Sequence, residues 1–391
     1  IAYAAALLVR NGYDVTLVTS SFQHWEKEHR DISDEKYNKL PYNVVFLDEP
    51  GYKKNIGLAR VRSHDELNRE MIRFLRDNGD AYDLFWGQIP PNNIAATISV
   101  YASTHNKPFI VDVNDLWPEA MRMVIDVPIV SDMLFHGFVS DARTVYQHAS
   151  ACCATSDEYA RRPDEDRDEP IDKVVVYVGG DVDRFDAGVD ANAGFIDKND
   201  NEFWVTYAGT LGKSYDIATL IEAIDIAVPV IAEKNGKHVK LMILGDGPDR
   251  DLLEKIAERH RNVDAVFTGY ISYENMAAVL YRSDVLVNSL IHGAPQSIVS
   301  KIGDYLAAGK PMINTGESKE FRRKVDLEGF GKNVEPGDAN ALANIIEMLS
   351  RNDSTRKIMG AKARTVAIRE FDRKRSYEKI VTLVDRQLGI R

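Results

Sequence analysis

Four short segments in the second half of the chain hold residues suited to gripping a phosphorylated ligand, and each follows an apolar, β-branched run. In 207–216, YAGTLGKSYD, Gly209 and Gly212 flank Leu211 and let the backbone approach a bulky group closely. A helix is expected next, offering free N–H donors and a positive dipole end, and Lys213 adds a point charge. That chemistry suits a diphosphate; a glycine-rich turn with packing duties alone fits this segment equally well. In 244–256, LGDGPDRDLLEKI, Gly245 and Gly247 make a tight turn and Pro248 sits near the start of a helix. Taken alone, this is most simply a helix entry with acidic first-turn residues. In 266–289 a strand, a glycine turn and an amphipathic helix lead into another strand. The loop from Gly269 to Ser272, with Tyr270 and Ile271, is placed to line a base pocket through backbone groups. In 292–314, HGAPQSIVSKIGDYLAAGKPMIN, a turn at Pro295 is expected to open a helix whose first N–H groups, near Gln296, Ser297 and Ile298, are free for an anion. Asp304 lies eight positions after Gln296, about two helical turns on and on the same face. A carboxylate there can accept paired hydrogen bonds from two ribose hydroxyls.

These segments need a frame to position them, and the pattern supplies one. Strand candidates fall at 14–20, 43–47, 82–86, 108–113, 151–155 and 173–178, and continue at 203–209, 240–245, 264–269, 284–289 and 311–314. Between them lie helical patterns; in 215–231, Ile217, Leu220, Ile221, Ile224, Val228 and Ile231 repeat at threes and fours, which is one helix face. Alternating strands and helices imply an α/β fold with doubly wound parallel sheets. The length of 391 residues suits two domains. The polar stretch 160–170 is expected to be a loop, and 178–202, rich in Gly, Asp and Asn, a linker. The expected domains are therefore 1–185 with the linker, 186–368, and a C-terminal amphipathic helix in 369–391 that crosses back to the first. Two Rossmann-like domains facing a cleft would hold ligands at the carboxyl ends of their strands.

Composition narrows the function. A net charge of −11 argues against general nucleic-acid binding, which needs a basic face. Cys152 and Cys153 are adjacent in an apolar run and fit small buried strand residues. No apolar run approaches the roughly 20 residues of a membrane span. The nine histidines show no convincing metal-ligand spacing, so no metal and no cofactor is expected. Asp181 and Asp183 spell Asp-Val-Asp within the expected linker, where a metal role is not expected. The chain starts without Met inside an amphipathic helical pattern, so a stretch upstream is expected to be missing.

The order G-x-L-G, GDGP, F-x-G-x-x-S-x-E-x-M and K-I-x-D-Y-L-A-A-G-K-P resembles the large family-four type of retaining GT-B glycosyltransferases, which includes many bacterial surface-polysaccharide enzymes. RNGYDVTLVTS, VDVNDLWPEA (111–120) and VVVYVGGDVDRF (174–185) extend the resemblance over essentially the whole chain. The pairing of DLWPE with the last motif is similar to transferases that add amino-deoxyhexoses such as fucosamine. The resemblance implies a nucleotide-sugar donor, a UDP-sugar, held by the second domain, with Asp304 in the place of the ribose-binding Glu and Gln296 in the place of the Glu that contacts the donor sugar. Where the family often has Arg, this chain has Thr210, which leaves Lys213 or Lys301 to stand near the phosphates. The acceptor would attack from the face the nucleotide leaves, with no nucleophilic carboxylate. Many members place a His where this chain has Asn114; Asp115 and Glu119 are the nearby carboxylates, and a helix N-cap is an equal reading of Asp115.

The acceptor side would be the first domain. The stretch 50–64 holds Lys53, Lys54, Arg60 and Arg62 beside Tyr52, a basic, partly apolar loop suited to anionic headgroups or a lipid diphosphate, though a solvated loop is the simpler reading. The resemblance favours a polyprenyl-diphosphate-linked saccharide acceptor and a cytoplasmic protein loosely attached to the inner membrane face. It places the family's first strand and glycine loop upstream of Ile1, so this chain is expected to bind nucleotide with poor turnover. Three other readings stay open: a GT-B nucleotide-sugar epimerase, which needs no acceptor; a non-catalytic nucleotide-sugar-binding protein; and a Rossmann dehydrogenase, whose G-x-G-x-x-G turn is not found.

Overall fold

The structure is a computed structural model describing residues 1–24, 26–53, 57–116, 128–294 and 298–390, with side chains described from 136 onward in the helix that begins at Pro128. The chain divides into two compact units, 1–176 with 377–391, and 177–376. The stretch 177–185 and the stretch 369–376 thus fold with the second unit, and the terminal helix folds with the first.

In the first unit, α1 (Ala2–Arg10) leads to β1 (Thr16–Ser20), a small antiparallel hairpin of β2 (Phe22–Gln23) and β3 (Glu28–His29), and β4 (Asn43–Leu47). Then come α2 (Leu58–Asn78), β5 (Phe85–Ile89), α3 (Asn92–Thr104), β6 (Phe109–Val113), α4 (Pro128–His148), β7 (Ala151–Ala154), α5 (Asp157–Arg161) and β8 (Asp172–Val175). β1 and β4 form one parallel pair, and β5-β6-β7-β8 form a separate parallel sheet. β7, Ala-Cys-Cys-Ala, is wholly buried and shows the pleat at work. Cys152 faces a core of Ile89, Val111 and Tyr146, while Cys153 faces the opposite core with Ile380, Leu383 and Val384. Burial pushes both thiols well up, which leaves them unreactive packing groups.

The second unit begins with α6 (Val182–Ala191) and β9 (Glu202–Ala208). It continues with α7 (Ile217–Asn235), β10 (His238–Leu244), α8 (Arg250–Arg259), β11 (Asp264–Gly269), α9 (Tyr273–Arg282), β12 (Val285–Asn288) and α10 (Ile302–Ala307). β13 (Met312–Asn314), α11 (Lys319–Glu328), β14 (Gly331–Asn333), α12 (Ala339–Arg351), α13 (Asp353–Val366) and α14 (Arg373–Ser376) complete it, and α15 (Glu378–Gln387) returns to the first unit. The strands form one parallel sheet in the order β11-β10-β9-β12-β13-β14. α7 buries Ile217, Leu220, Ile221, Ile224 and Ile231, the face read from the sequence, each contributing roughly 1.5–3 kcal/mol. It stops at Gly236, whose φ of +65° suits a residue without Cβ.

Three stretches differ from their sequence reading. The expected linker holds α6, capped by the Asp181 carboxylate on Arg184 N at 3.0 Å. α6 escaped notice because it buries only Val182, Phe185 and Gly188, the last packed so closely that a Cβ would lie 3.1 Å from Glu274 Cα. The polar stretch 160–170 contains the end of α5 and a 3₁₀ turn over Arg162–Asp166, with Pro163 near its start. Arg60 and Arg62 lie on α2 instead of in a loop, because Ser63, Leu67, Met71 and Leu75 form a buried stripe that carries the helix back to Leu58. Among the described residues, no helix is long and apolar enough to cross a membrane.

Candidate functional site

In the second unit the chain runs outward from β9 through β10 to β11, then returns to lay β12 against the other side of β9. The strand order therefore reverses between β9 and β12, the place where open parallel sheets leave a crevice beyond their carboxyl ends. The two strands pair at Val205 with Val285 and at Thr206 with Leu286, and then part. The fully buried Tyr305 fills the parting: Ala208 N–H donates to its hydroxyl at 2.6 Å, and the hydroxyl lies 3.2 Å from Ala208 O and 3.4 Å from Val287 O. Backbone groups released by the parting strands are thus satisfied from α10.

Two glycine turns interlock above this point. Leu244 O accepts from Gly209 N at 2.8 Å, and Asp246 O accepts from Leu211 N at 3.0 Å. A Cβ on Gly245 would lie 2.1 Å from Gly209 O, and one on Gly247 would lie 2.1 Å from Leu211 O. Gly209 and Gly245 also hold φ values of +148° and +130°, which side chains rarely tolerate. Gly209, Leu211, Gly212, Gly245 and Gly247 are therefore brought together, with Leu211 buried as the contact between the turns. The Ser289 hydroxyl donates to Asp216 O at 2.6 Å and Ile291 N donates to Ser214 O at 3.2 Å, joining the loop after β12 to the same turn. Asp216 caps α7 by accepting from Thr219 N at 3.2 Å.

Lys301 enters this group from the residue before α10. Its Nζ is sealed from solvent and finds no hydrogen-bond acceptor among the described residues. It lies 4.0 Å from the Tyr207 ring centre and 4.1 Å from that of Tyr215. Burial pushes the ammonium well below the ordinary lysine range. Asp304 is mostly buried and accepts from the Tyr273 hydroxyl at 2.8 Å. Burial raises its carboxyl, opposed by that bond. Lys213 is exposed, as is the Tyr270 side chain, at 88%, while Ile271 and Ile298 are half-buried. Gln296 and Ser297 lie outside the described residues. The helix that carries Asp304 is described from Ile302, and the expected start at Pro295, with its relation to Gln296, lies outside the described residues. Gly303, the second residue of α10, packs directly on the Gly179–Gly180 backbone: a Cβ there would lie 2.4 Å from Gly180 N.

The first unit holds its candidates differently. Asn114 follows β6, its N–H donating to Ile89 O at 3.1 Å and its side chain to Asp112 O at 3.4 Å. Asp115 accepts from Leu116 N at 2.9 Å, and Glu119 lies outside the described residues, as does Lys54. Lys53 and Arg62 are exposed, and Arg60 sits 5.6 Å over the Tyr52 ring. Arg62 joins Asp48, Glu49, Glu66, Glu70 and His29 around a cavity of about 390 Å³. Among the described residues, no three His, Cys, Asp or Glu side chains gather as a metal site. Asp181 is occupied as a cap and Asp183 by Lys374.

Three comparisons bear on this arrangement. The HepE protein of Anabaena, solved with UDP, is 15% identical and superposes with a TM-score of 0.67 over 95% of this chain and 100% of its own. Sucrose-phosphate synthase from Thermosynechococcus elongatus is 17% identical, with a TM-score of 0.67 over 100% of this chain and 92% of its own. WaaG, a glycosyltransferase involved in lipopolysaccharide biosynthesis, is 13% identical, with a TM-score of 0.63 over 97% and 94%. The fold is that of the GT-B glycosyltransferases. Residues 202–352 match the family model described as glycosyl transferases group 1, a span that contains both glycine turns, Lys301 and Asp304. A glycosyltransferase of Methanocaldococcus jannaschii, itself uncharacterized, is 23% identical over 222 residues, 56% of this chain. The chain spans about half the length of that curated relative, 53%.

Within this fold the sequence reading passed over Tyr207, Tyr215, Tyr273 and Tyr305. Their roles depend on contacts between distant segments, and a tyrosine in a buried strand or helix carries no mark of them.

Proposed function

We propose that this chain transfers a glycosyl group from a UDP-sugar to a saccharide or lipid-linked saccharide acceptor with retention of configuration and without a metal ion. The observation that carries the reading is the crevice at the strand-order reversal, floored by Tyr305 and edged by the interlocked turns at Gly209 and Gly245. Glycine backbone at the carboxyl edge lets a diphosphate approach closely, and N–H groups and a lysine there can stabilise the charge that develops as the nucleotide leaves. The anabaenal HepE protein, solved with UDP, with UDP and glucose, and with UDP-glucose, supports uridine as the base. Gln296, Ser297, Ile298 and Asp304 would complete the sugar and ribose contacts, with Tyr270 and Ile271 beside the base. Asn114, Asp115 and Glu119 would orient the acceptor. Lys53, Lys54, Arg60 and Arg62 would meet a polyprenyl-diphosphate-linked substrate at the inner membrane face, in surface-polysaccharide synthesis. The branch similar to fucosamine transferases sets the choice of donor sugar.

Thermal stabilisation tests the donor. UDP at 100 times its dissociation constant should add about 2.7 kcal/mol, with and without chelator. Stabilisation by NAD alone, or by no nucleoside diphosphate, contradicts the reading, and stabilisation that chelator abolishes contradicts the metal-free part. The anomeric configuration of the product, read by NMR, decides retention.

A further inference from the structure

A carboxylate that takes two ribose hydroxyls by itself needs both of its oxygens, and Asp304 does not have both to give. Its Oδ1 already accepts from the Tyr273 hydroxyl at 2.8 Å. A Cβ on Gly180 would lie 3.1 Å from that same oxygen, so glycine backbone and the phenol close around it. Oδ2 accepts no hydrogen bond among the described residues. The phenol is held firmly. Arg184, on α6, lies 4.3 Å over the Tyr273 ring and pairs with Glu274 at 3.0 Å. The two helices touch closely there, since a Cβ on Gly188 of α6 would fall 3.1 Å from Glu274 Cα. Tyr273 also opens α9 directly after Ser272, which caps that helix by accepting from Asn275 N at 3.2 Å. The loop from Gly269 to Ser272, read above as the edge of a base pocket, therefore leads straight into the residue whose hydroxyl rests on Asp304. Neither side chain is sealed: both Tyr273 and Asp304 keep partial exposure. A phenol that donates still has lone pairs with which to accept. Donating to a carboxylate makes it a better acceptor, because linked hydrogen bonds polarise one another.

Resting on the donor reading above, we infer that Tyr273 shares the donor's ribose with Asp304, one ribose hydroxyl donating to Asp304 Oδ2 and its neighbour donating to the Tyr273 hydroxyl oxygen. The phenol then stands in the middle of a chain, accepting from ribose and donating to Asp304 Oδ1. Tyr273 is thus a binding residue, and Arg184 is a positioning residue that keeps its ring in place. The division asks for a ribose with both hydroxyls present: a 2′-deoxy or a 3′-deoxy sugar leaves one of the two acceptors without its donor.

The test is calorimetric titration of the whole chain and its Tyr273→Phe variant with UDP, 2′-deoxy-UDP and 3′-deoxy-UDP. The wild type should bind each deoxy nucleotide about fivefold more weakly than UDP. The variant keeps the ring under Arg184 and loses only the hydroxyl. It should bind UDP about five- to tenfold more weakly, and one of the two deoxy penalties should shrink below about twofold while the other stays. Asp304→Asn, which retains an oxygen for the tyrosine, should remove the other penalty, and it carries the comparison if the phenylalanine variant does not fold. Loss of both penalties in Asp304→Asn overturns the assignment, because the carboxylate then takes both hydroxyls alone. Equal losses for all three nucleotides in Tyr273→Phe overturn it too, since the phenol would then shape the pocket without touching ribose, and so does an unchanged UDP affinity. A wild type that binds UDP and both deoxy nucleotides alike overturns it while leaving the donor reading intact. Failure of the wild type to bind UDP or any other nucleoside diphosphate removes the donor reading and this assignment with it.

Discussion

The two units solve the same packing problem with different continuity. The second lays six strands in one parallel sheet whose order reverses at β9 and β12, and its candidate site is made mainly of backbone: two glycine turns, the free edge beyond Ala208, and one caged lysine. The first divides its strands among the β1–β4 pair, the β2–β3 hairpin and the β5–β8 sheet, and its candidates are side chains such as Lys53, Arg62 and Asp115. The difference matters for reading function. A turn that must lack side chains constrains the sequence to glycine at fixed spacing, whereas a basic or acidic side chain facing water serves solubility as readily as binding.

The strongest test of that contrast is to add one methyl group to each unit. Gly245→Ala or Gly247→Ala drives a Cβ into backbone 2.1 Å away, which rotamer changes cannot relieve. We expect a loss of roughly 3–5 kcal/mol in the second unit's stability and of UDP stabilisation. Gly137→Ala, on α4 of the first unit, meets nothing within 4 Å and should stabilise its helix by about 0.5–1 kcal/mol. Denaturant titration of each variant with and without UDP reads both effects. Gly245→Ala binding UDP like the wild type would show that the interlocked turns are not the donor site.

A smaller effect separates the buried carboxylates. Burial alone would raise Glu202, yet bonds from Lys240 at 2.9 Å, the Trp204 indole at 2.7 Å and Asn199 at 3.0 Å hold it down to about 2. A depressed carboxylate stabilises the fold above its unfolded value of 4.5, and that stability drains away as pH falls from 4.5 towards 2. The loss should reach on the order of 2–3 kcal/mol and be absent in Glu202→Gln. In the first unit, Glu49 is as buried and accepts from the Ser20 and Ser63 hydroxyls. Glu49→Gln should cost about 1 kcal/mol near neutral pH. Acid unfolding of the Glu202→Gln variant that matches the wild type would remove Glu202 from the account.

Much of this frame was legible in the sequence, for local reasons. NVVFL became β4 without change, and the strands at β9, β10, β11 and β12 lie within two residues of their expected ends, because apolar β-branched runs bounded by glycine leave few alternatives. β14 was not read, since Gly-Lys-Asn has no apolar pattern; it is a strand because Met312, Ile313 and Asn314 offer it partners. α6 hid for a related reason, its close packing coming from Gly188 and not from a run of large residues. At the candidate site, the glycine turns were marked by their spacing, whereas Asp304 was named from its offset to Gln296, a residue outside those described, and lies on a helix described from Ile302. The cage around Lys301 was not readable, because Tyr207, Tyr215 and Lys301 come from β9, the loop after it and the residue before α10. Such contacts follow from topology and no local pattern announces them.

The smallest expected effect lies on the basic stretch of the first unit. Lys53 and Arg62 face solvent, and near an anionic bilayer each would contribute at most about 1 kcal/mol. Arg62, however, shares its cavity with Asp48, Glu49, Glu66 and Glu70, which repel the same headgroups that the arginine attracts. Arg62→Ala should therefore weaken binding to vesicles containing anionic lipid by less than Lys53→Ala, and both by no more than about fivefold in low salt. At 0.15 M salt, where the screening length is about 8 Å, the two should be indistinguishable from the wild type. A tenfold loss that survives salt would require a desolvated contact. It would make the first unit's basic stretch a built site comparable with the caged lysine of the second, and the contrast between the two units would no longer hold.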